Sequence, residues 1–451
     1  MDRPEALALG TQASCSGTLL TDLYQLTMLQ AYHARGMNGP AVFELFVRRL
    51  PPGRNFLMAA GIEPVLDYLL ALHFSHDELD WLAGCGRFER DFVASLADLR
   101  FTGDVDAMPE GTVFFPDEPI LRVVAPMREA QLIESRVVNL MHYQTLIASK
   151  AARVVLAARG KLLVDFGLRR AHGAEAGLLS ARASYLAGFA GTATLEAARR
   201  YGMPAFGTMA HSYVQAHDDE ALAFENFARS QPGNAMLLID TYDTERAAGK
   251  VVALARRGVP VTGVRIDSGD LGEHARRVRA ILDAGGLSHA TVFASGNLDE
   301  YRIAQLEASG APIDGYGVGT RMNISADAPY LDCAYKLQEY DGVARRKRSE
   351  AKATWPGRKQ VFRSRNGDGR FAGDALTLEG REAGGEPLLV PFMRGGQPIE
   401  PRVTLGGSRA RARRQLLRLP EPLRLLTPAA AYPVEVSAAI RALAAEVDVR
   451  A

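Results

Sequence analysis

The sequence predicts an α/β protein whose central part is a parallel sheet, either a TIM-like barrel or a doubly wound sheet. Three observations carry this. Between residues 162 and 317, six short apolar runs alternate with five charged helical stretches, the rhythm of βαβ units. Each run ends in polar residues or glycine, and both parallel architectures place their active sites at the carboxyl ends of the strands. The flanking segments lack this rhythm and read as mixed α and β.

In chain order, Thr21-Asp22 predicts a cap for a helix with Leu23, Leu26, Met28, Leu29 and Tyr32 on its apolar face. Residues 41–50 read as a strand, 59–72 as a helix, and 101–105 and 113–115 as short strands. Residues 127–158 form a long helical run with an apolar stripe that includes Leu132, Val137, Leu140, Met141 and Ile147. The six predicted strands are 162–166, 204–209, 235–240, 261–267, 291–295 and 313–317. The helices between them are about 181–201, 218–229, 244–257, 271–284 and 299–308. After Thr320 the rhythm stops. Asp341-Gly342 predicts a hairpin between 335–340 and 343–348. A glycine-rich stretch, 366–396, leads to a basic helix carrying Arg409, Arg411, Arg413, Arg414 and Arg418.

Among 451 residues, 53 Lys and Arg balance 52 Asp and Glu, a net charge of +1. This argues against a nucleic-acid partner, and the basic helix reads as a solvated face. Cys15, Cys85 and Cys333 are too few for a disulfide framework and form no CxxC pair, which points to a reducing, cytoplasmic setting. Asp2, Arg3 and Glu5 open the chain with no apolar export segment after them. No stretch of about 18 residues is apolar and uncharged, so no membrane partner is expected.

The strand ends carry the chemistry. Gly317-Val318-Gly319-Thr320 and Ser295-Gly296-Asn297 follow adjacent strands, and glycines there let backbone N–H groups approach a phosphate. Arg265 and Asp267 are two apart on one strand and share a face. Together they suit an anion with its Mg²⁺, or a ribose hydroxyl. Asp240 ends the preceding strand and can orient them. Asp165-Phe166-Gly167-Leu168-Arg169-Arg170 offers an aromatic face and two guanidinium groups, suited to a flat ring bearing a carboxylate. His211, in Gly207-Thr208-Met209-Ala210-His211-Ser212, sits just past a strand end, where it can be a general base or a nucleophile. His217 is its nearest rival.

Together the segments LLTDLYQLTM (19–28), DFGLRRAHG (165–173), GTMAHSYV (207–214), DTYDT (240–244), GVRIDSGDLG (263–272), ASGNLDEY (294–301) and GYGVGT (315–320) resemble the nicotinate phosphoribosyltransferase family. Residues 347–363 fit the same family. The resemblance implies an irregular TIM-like α/β barrel with a second α+β domain built from N- and C-terminal segments, as in type II phosphoribosyltransferases. Its expected boundaries are 1–126 for the N-terminal part of the α+β domain, 127–330 for the barrel, and 331–451 for the returning segment.

The resemblance also implies a reaction: phosphoribosyl pyrophosphate and nicotinate give nicotinate mononucleotide and pyrophosphate, in NAD salvage. The family couples this to ATP hydrolysis through a phosphohistidine and needs Mg²⁺. It is usually a homodimer with shared active sites. The phosphorylated residue corresponds to His211. The pyridine ring's aromatic sandwich corresponds to Phe166 and to Tyr24, the latter from the other subunit. Arg169, Thr208 and Arg265 correspond to nicotinate-binding positions, and Asp267 to the carboxylate that holds ribose or Mg²⁺. Gly296, Gly317, Gly319 and Thr320 correspond to phosphate loops, with Asp240 and Ser295 beside them.

Three alternatives stand next to this reading. A nicotinamide phosphoribosyltransferase has an aspartate after Gly-Thr to receive the amide, where Gly191-Thr192-Ala193 stands here; Ala193 offers no such acceptor. A quinolinate phosphoribosyltransferase uses no ATP, which leaves His211 without that role. A degenerate barrel acting as a ligand-binding regulator predicts lost site groups, and the positions named above are all present.

Overall fold

The computed structural model describes residues 17–350 and 352–450. Cys15 and the opening Asp2, Arg3 and Glu5 lie outside the described residues. Among those described, no helix is long and apolar enough to cross a membrane.

Six strands form one parallel sheet in the order Gly191–Thr192, Leu162–Asp165, Gly315–Val318, Thr291–Ala294, Gly263–Ile266, Met236–Leu238. A bridge from Thr192 to Ala205 continues it at one edge. The Asn234 side chain, leading into the opposite edge strand, donates to the Gly207 carbonyl at 2.8 Å. The strands are apolar and buried on both faces, as helix-covered parallel sheets require. Four connecting helices start at an aspartate that caps them through its side chain: Asp219, Asp243, Asp270 and Asp299. Each such cap contributes about 1 kcal/mol and sets where the preceding loop ends.

The predicted helix 181–201 is two helices, Ala174–Ala187 and Leu195–Tyr201, with the strand Gly191–Thr192 between them. Gly188, at φ 136, ends the first. Gly191 then runs so close to Phe206, 2.8 Å from where a Cβ would stand, that only glycine fits. The predicted strand 204–209 is correspondingly reduced to the single bridge at Ala205. The run 127–158 divides at Ile133 into Met127–Leu132 and Glu134–Ala157. Asp22 precedes the helix Leu23–Ala34 without capping it; its carboxylate accepts from the Ser135 hydroxyl at 2.6 Å instead.

A seven-stranded sheet lies beside the parallel one. Its central strands, Pro40–Val47 and Pro119–Pro126, pair antiparallel. The sequence reading assigns no element to 119–126, which is a strand with a proline at each end, positions where a strand tolerates one. Cys333–Tyr340 pairs with Pro40–Val47 and turns back through Asp341 and Gly342, both at positive φ, into Val343–Ala344. The hairpin is where Asp-Gly predicts it, though its second strand is two residues long rather than six.

Residues of the C-terminal part enter both hydrophobic cores. Ala412, Leu416 and Leu419 join the core of the parallel sheet, and Val361, Leu376, Phe392 and Met393 join the other. The basic helix Leu405–Arg418 is only partly a solvated face: Arg409 stacks on Tyr185 at 4.8 Å and donates to the Gly188 carbonyl.

Candidate active site

One cavity of about 580 Å³ opens at the carboxyl ends of the parallel strands. It gathers eleven of the thirteen residues picked out from sequence. Phe166 and Arg169 come from the loop after Leu162–Asp165. Thr208 and His211 come from the segment beyond Ala205. Arg265 and Asp267 come from Gly263–Ile266 and its end. Ser295 and Gly296 follow Thr291–Ala294, and Gly317, Gly319 and Thr320 end Gly315–Val318. Ala193 lines the same cavity.

The aromatic wall depends on a missing side chain. A Cβ on Gly317 would stand 2.5 Å from the Phe166 ring, so glycine there lets the ring lie flat against the strand. The Arg265 guanidinium lies 6.0 Å from the centroid of that ring and donates to the Thr208 hydroxyl at 2.5 Å. Its Nε has no hydrogen-bond partner among the described residues. Burial pushes Arg265 down from its usual range, opposed by the carboxylates of Asp267 and Asp240. A partly paired, largely desolvated cation beside an aromatic face is the arrangement that holds a planar carboxylate.

Asp240 lies just behind the cavity, with its side chain 2 % exposed. Its Oδ2 accepts from the Asp267 amide at 2.9 Å and from the Ser268 hydroxyl at 2.5 Å. Its Oδ1 has no donor among the described residues and stands 3.9 Å from His211 Nε2. Thr241 completes the setting, its hydroxyl 3.2 Å from His211 Nδ1. The Asp267 carboxylate in turn accepts from the Ser295 hydroxyl at 2.5 Å. His217 is bonded instead to the Tyr213 carbonyl at 2.9 Å and is not part of the cavity wall.

Tyr24 stands apart. It is 47 % exposed on the helix Leu23–Ala34, with Glu134 3.4 Å from its hydroxyl, and it does not line the cavity of its own chain. Burial and the Glu134 charge push its hydroxyl up.

Asp165 and Asn323, which sequence reasoning left without a role, hold these parts together. Asp165, fully buried, accepts from the Gly167 amide (2.9 Å), the Thr192 hydroxyl (2.7 Å) and the Asn323 amide nitrogen (3.0 Å). It ties the aromatic loop, the strand that ends before Ala193 and the helix that Thr320 opens to one carboxylate. Asn323 is 158 residues away in sequence and carries no local signal. Asn297 and Arg170 also line the cavity. Asn297 adopts φ 50, a conformation asparagine tolerates better than most residues.

Burial raises the Asp165 carboxyl, so the native state holds its proton more tightly than the unfolded chain does. Stability from this group is therefore greatest below the unfolded pKa, about 4, and declines as pH rises through the folded one. Asp165→Asn can keep all three bonds, since the Thr192 hydroxyl can also accept. Its stability relative to the parent should therefore improve between pH 4 and pH 8. Asp165→Ala should lose about 3 kcal/mol by orphaning buried donors. Melting temperatures of the three proteins across that range check this, and parallel curves for parent and Asn variant would refute it.

Among the described residues no group of three or more His, Cys, Asp or Glu is placed to hold a metal ion. One carboxylate, that of Asp267, faces the cavity. That donor set suits Mg²⁺, which keeps several waters and takes one or two carboxylates plus phosphate oxygens from its ligand.

The family model of the nicotinate phosphoribosyltransferase N-terminal domain matches residues 19–142, and that of the nicotinate phosphoribosyltransferase family matches residues 162–345. The chain is 54% identical over 426 residues to a nicotinate phosphoribosyltransferase of Mycobacterium tuberculosis, covering 93% of this chain and 92% of the relative. It is 38% identical to that of Bacillus subtilis, over 83% and 79%. The crystal structure of human nicotinic acid phosphoribosyltransferase superposes with a TM-score of 0.85 at 30% identity, covering 95% of this chain and 99% of that one. A cavity that joins an aromatic-and-arginine wall to two glycine loops, set in a chain with these matches over most of its length, leads to one assignment: the chain belongs to the nicotinate phosphoribosyltransferase family.

Proposed function

We propose that the chain transfers the phosphoribosyl group of phosphoribosyl pyrophosphate to nicotinate, giving nicotinate mononucleotide and pyrophosphate, as a step of NAD salvage. The observation that carries this is the convergence of Phe166, Arg265 with Thr208, Asp267 and the two glycine loops on one cavity. The pyridine nitrogen forms a bond to the ribose anomeric carbon while the bond to pyrophosphate breaks. Charge separates in that transition state, so the protein's work is to hold an anion and a flat nucleophile in line. Phe166 supports the ring, and Arg265 or Arg169 pairs with its carboxylate. The glycine loops, with Ser295 and Thr320, take phosphate oxygens. Asp267 would hold a ribose hydroxyl or Mg²⁺, which neutralises phosphate charge when bound.

Nicotinate is expected to be used tenfold to a hundredfold or more better than nicotinamide. A charge-assisted pair contributes about 1.5–3 kcal/mol, and Ala193 offers an amide no acceptor. Initial rates with phosphoribosyl pyrophosphate, Mg²⁺ and each of nicotinate, nicotinamide and quinolinate, with and without ATP, test the whole proposal. Equal turnover of nicotinate and nicotinamide would overturn it.

ATP is the proposed co-substrate, with His211 accepting its γ-phosphoryl group. The active form is proposed to be a homodimer in which Tyr24 of one chain stacks on the ring bound by the other. Its exposure, outside the cavity of its own chain, supports this. Mixing Tyr24→Ala and His211→Ala chains should then restore part of the ATP-coupled activity that each lacks, because one of the two sites in a mixed dimer is intact. Confirmed subunit exchange with no recovered activity would rule the shared site out.

The parallel sheet is read as an irregular TIM-like barrel spanning 127–330, with 1–126 as the N-terminal part of the α+β domain and 331–451 partly returning to it. The Asn234–Gly207 link between the sheet's two edges supports the first part. The pairing of Cys333–Tyr340 with Pro40–Val47 supports the second. The scattered cysteines favour a cytoplasmic place of action.

A further inference from the structure

Behind the two glycine loops lies a cluster of five charged residues, none of which lines the cavity. Glu300 is the first residue of the helix Glu300–Ala308, directly after the Ser295–Asn297 loop, and is fully buried. Asp327 follows the other loop by way of the short helix Thr320–Asn323. One ammonium group joins them. Lys150 Nζ, from the helix Glu134–Ala157, is 2.7 Å from Glu300 Oε2 and 2.7 Å from Asp327 Oδ1. Arg153 donates to Glu300 at 3.1 Å. Arg54 donates to both Asp327 oxygens at 3.1 Å and to the Ser325 hydroxyl at 2.5 Å.

We infer that Lys150, Glu300 and Asp327 are positioning residues that set the spacing of the two glycine loops and thereby the fit of the phosphoribosyl donor. This rests on the proposal that those loops hold its phosphates. Isolated buried ion pairs are poor stabilisers, because desolvation offsets their attraction. What this cluster supplies beyond stability is geometry. Two loops from different βα units are each tied by a carboxylate to Lys150 on the same helix, so neither can move relative to the other without breaking one of its ion pairs. The cluster has three cations and two carboxylates, so it places excess positive charge behind two loops that line the cavity. Burial alone would raise Asp327, but Arg54 and Lys150 hold it far below the usual carboxylate range, so the link stays ionised at neutral pH.

The test is a steady-state comparison of Lys150→Met, the charge-balanced double variant Lys150→Met/Asp327→Asn, and Thr320→Val. The double variant removes one cation and one anion, leaves the Arg153–Glu300 and Arg54–Ser325 contacts in place, and serves if the single variant does not fold. Both bridge variants should raise KM for phosphoribosyl pyrophosphate about tenfold or more while KM for nicotinate stays within about twofold. Thr320→Val should also raise the donor KM. If Thr320→Val raises it and the double variant does not, or if the double variant moves both KM values together, the positioning role is wrong. If Thr320→Val leaves the donor KM unchanged, the phosphate assignment of the loops fails first and the inference fails with it.

Discussion

Replacing His211 by alanine is expected to abolish ATP hydrolysis and any acid-labile phosphate on the protein, while a slow, ATP-independent phosphoribosyl transfer persists. In the proposed coupling an imidazole nitrogen would attack the γ-phosphorus of ATP, forming an N–P bond as the P–O bond to the β-phosphate breaks and ADP departs. The Thr241 hydroxyl lies 3.2 Å from one ring nitrogen, and the Asp240 oxygen that has no donor among the described residues lies 3.9 Å from the other. Asp240 also accepts from the Asp267 amide, so on this proposal a change of charge at His211 would be passed to the Asp267 loop. The groups assigned to the transfer itself, Phe166, Arg265 and the glycine loops, are untouched by the substitution. Incubation with γ-labelled ATP, followed by parallel measurement of protein-bound phosphate and nucleotide formed, decides the matter. Label retained on a histidine of the variant would move the assignment, with His217 the first to examine.

Gly296→Ala should lower kcat/KM about a hundredfold or more and lose more stability than Gly258→Ala. Gly296 adopts φ 92, and a methyl group there would fall inside the carbonyl oxygen of Asp267. Backbone cannot step aside as a flexible side chain can. The substitution therefore pushes apart Ser295 and Asp267, two cavity groups now 2.5 Å from each other. A displacement of about 1 Å at reacting groups costs on the order of a hundredfold in rate. Gly258→Ala is the control: it has a similar positive φ of 79, nothing within 4 Å of a new Cβ, and no place in the cavity. It should lose about 1 kcal/mol of stability and keep its activity. Equal activity loss in the two variants would show that backbone strain, not the clash with Asp267, is responsible.

The local chemistry of the site is legible in the chain because it is written in short segments. A strand end, a glycine loop and a capping aspartate are each specified within a few residues. Arg265 and Asp267 share a face by the two-residue period of a strand, and Asp219, Asp243, Asp270 and Asp299 mark the helix starts that follow. Of the thirteen residues named from the sequence and its family resemblance, eleven line one cavity.

What depends on distant partners is not written there. Gly191–Thr192 is too short to show an alternating pattern and becomes a strand only because Leu162–Asp165 lies beside it. Pro119–Pro126 is a strand because Pro40–Val47 and Asp104–Ala107 flank it. Asp165 meets Asn323 across 158 residues, and Lys150 meets Glu300 across 150. Side-chain periodicity reports the backbone's own conformation, which is settled by neighbours in the chain. Pairing, burial and the partner of a charge are settled by whichever surfaces the fold brings together, and so only the tertiary structure decides how the loops of this site are held.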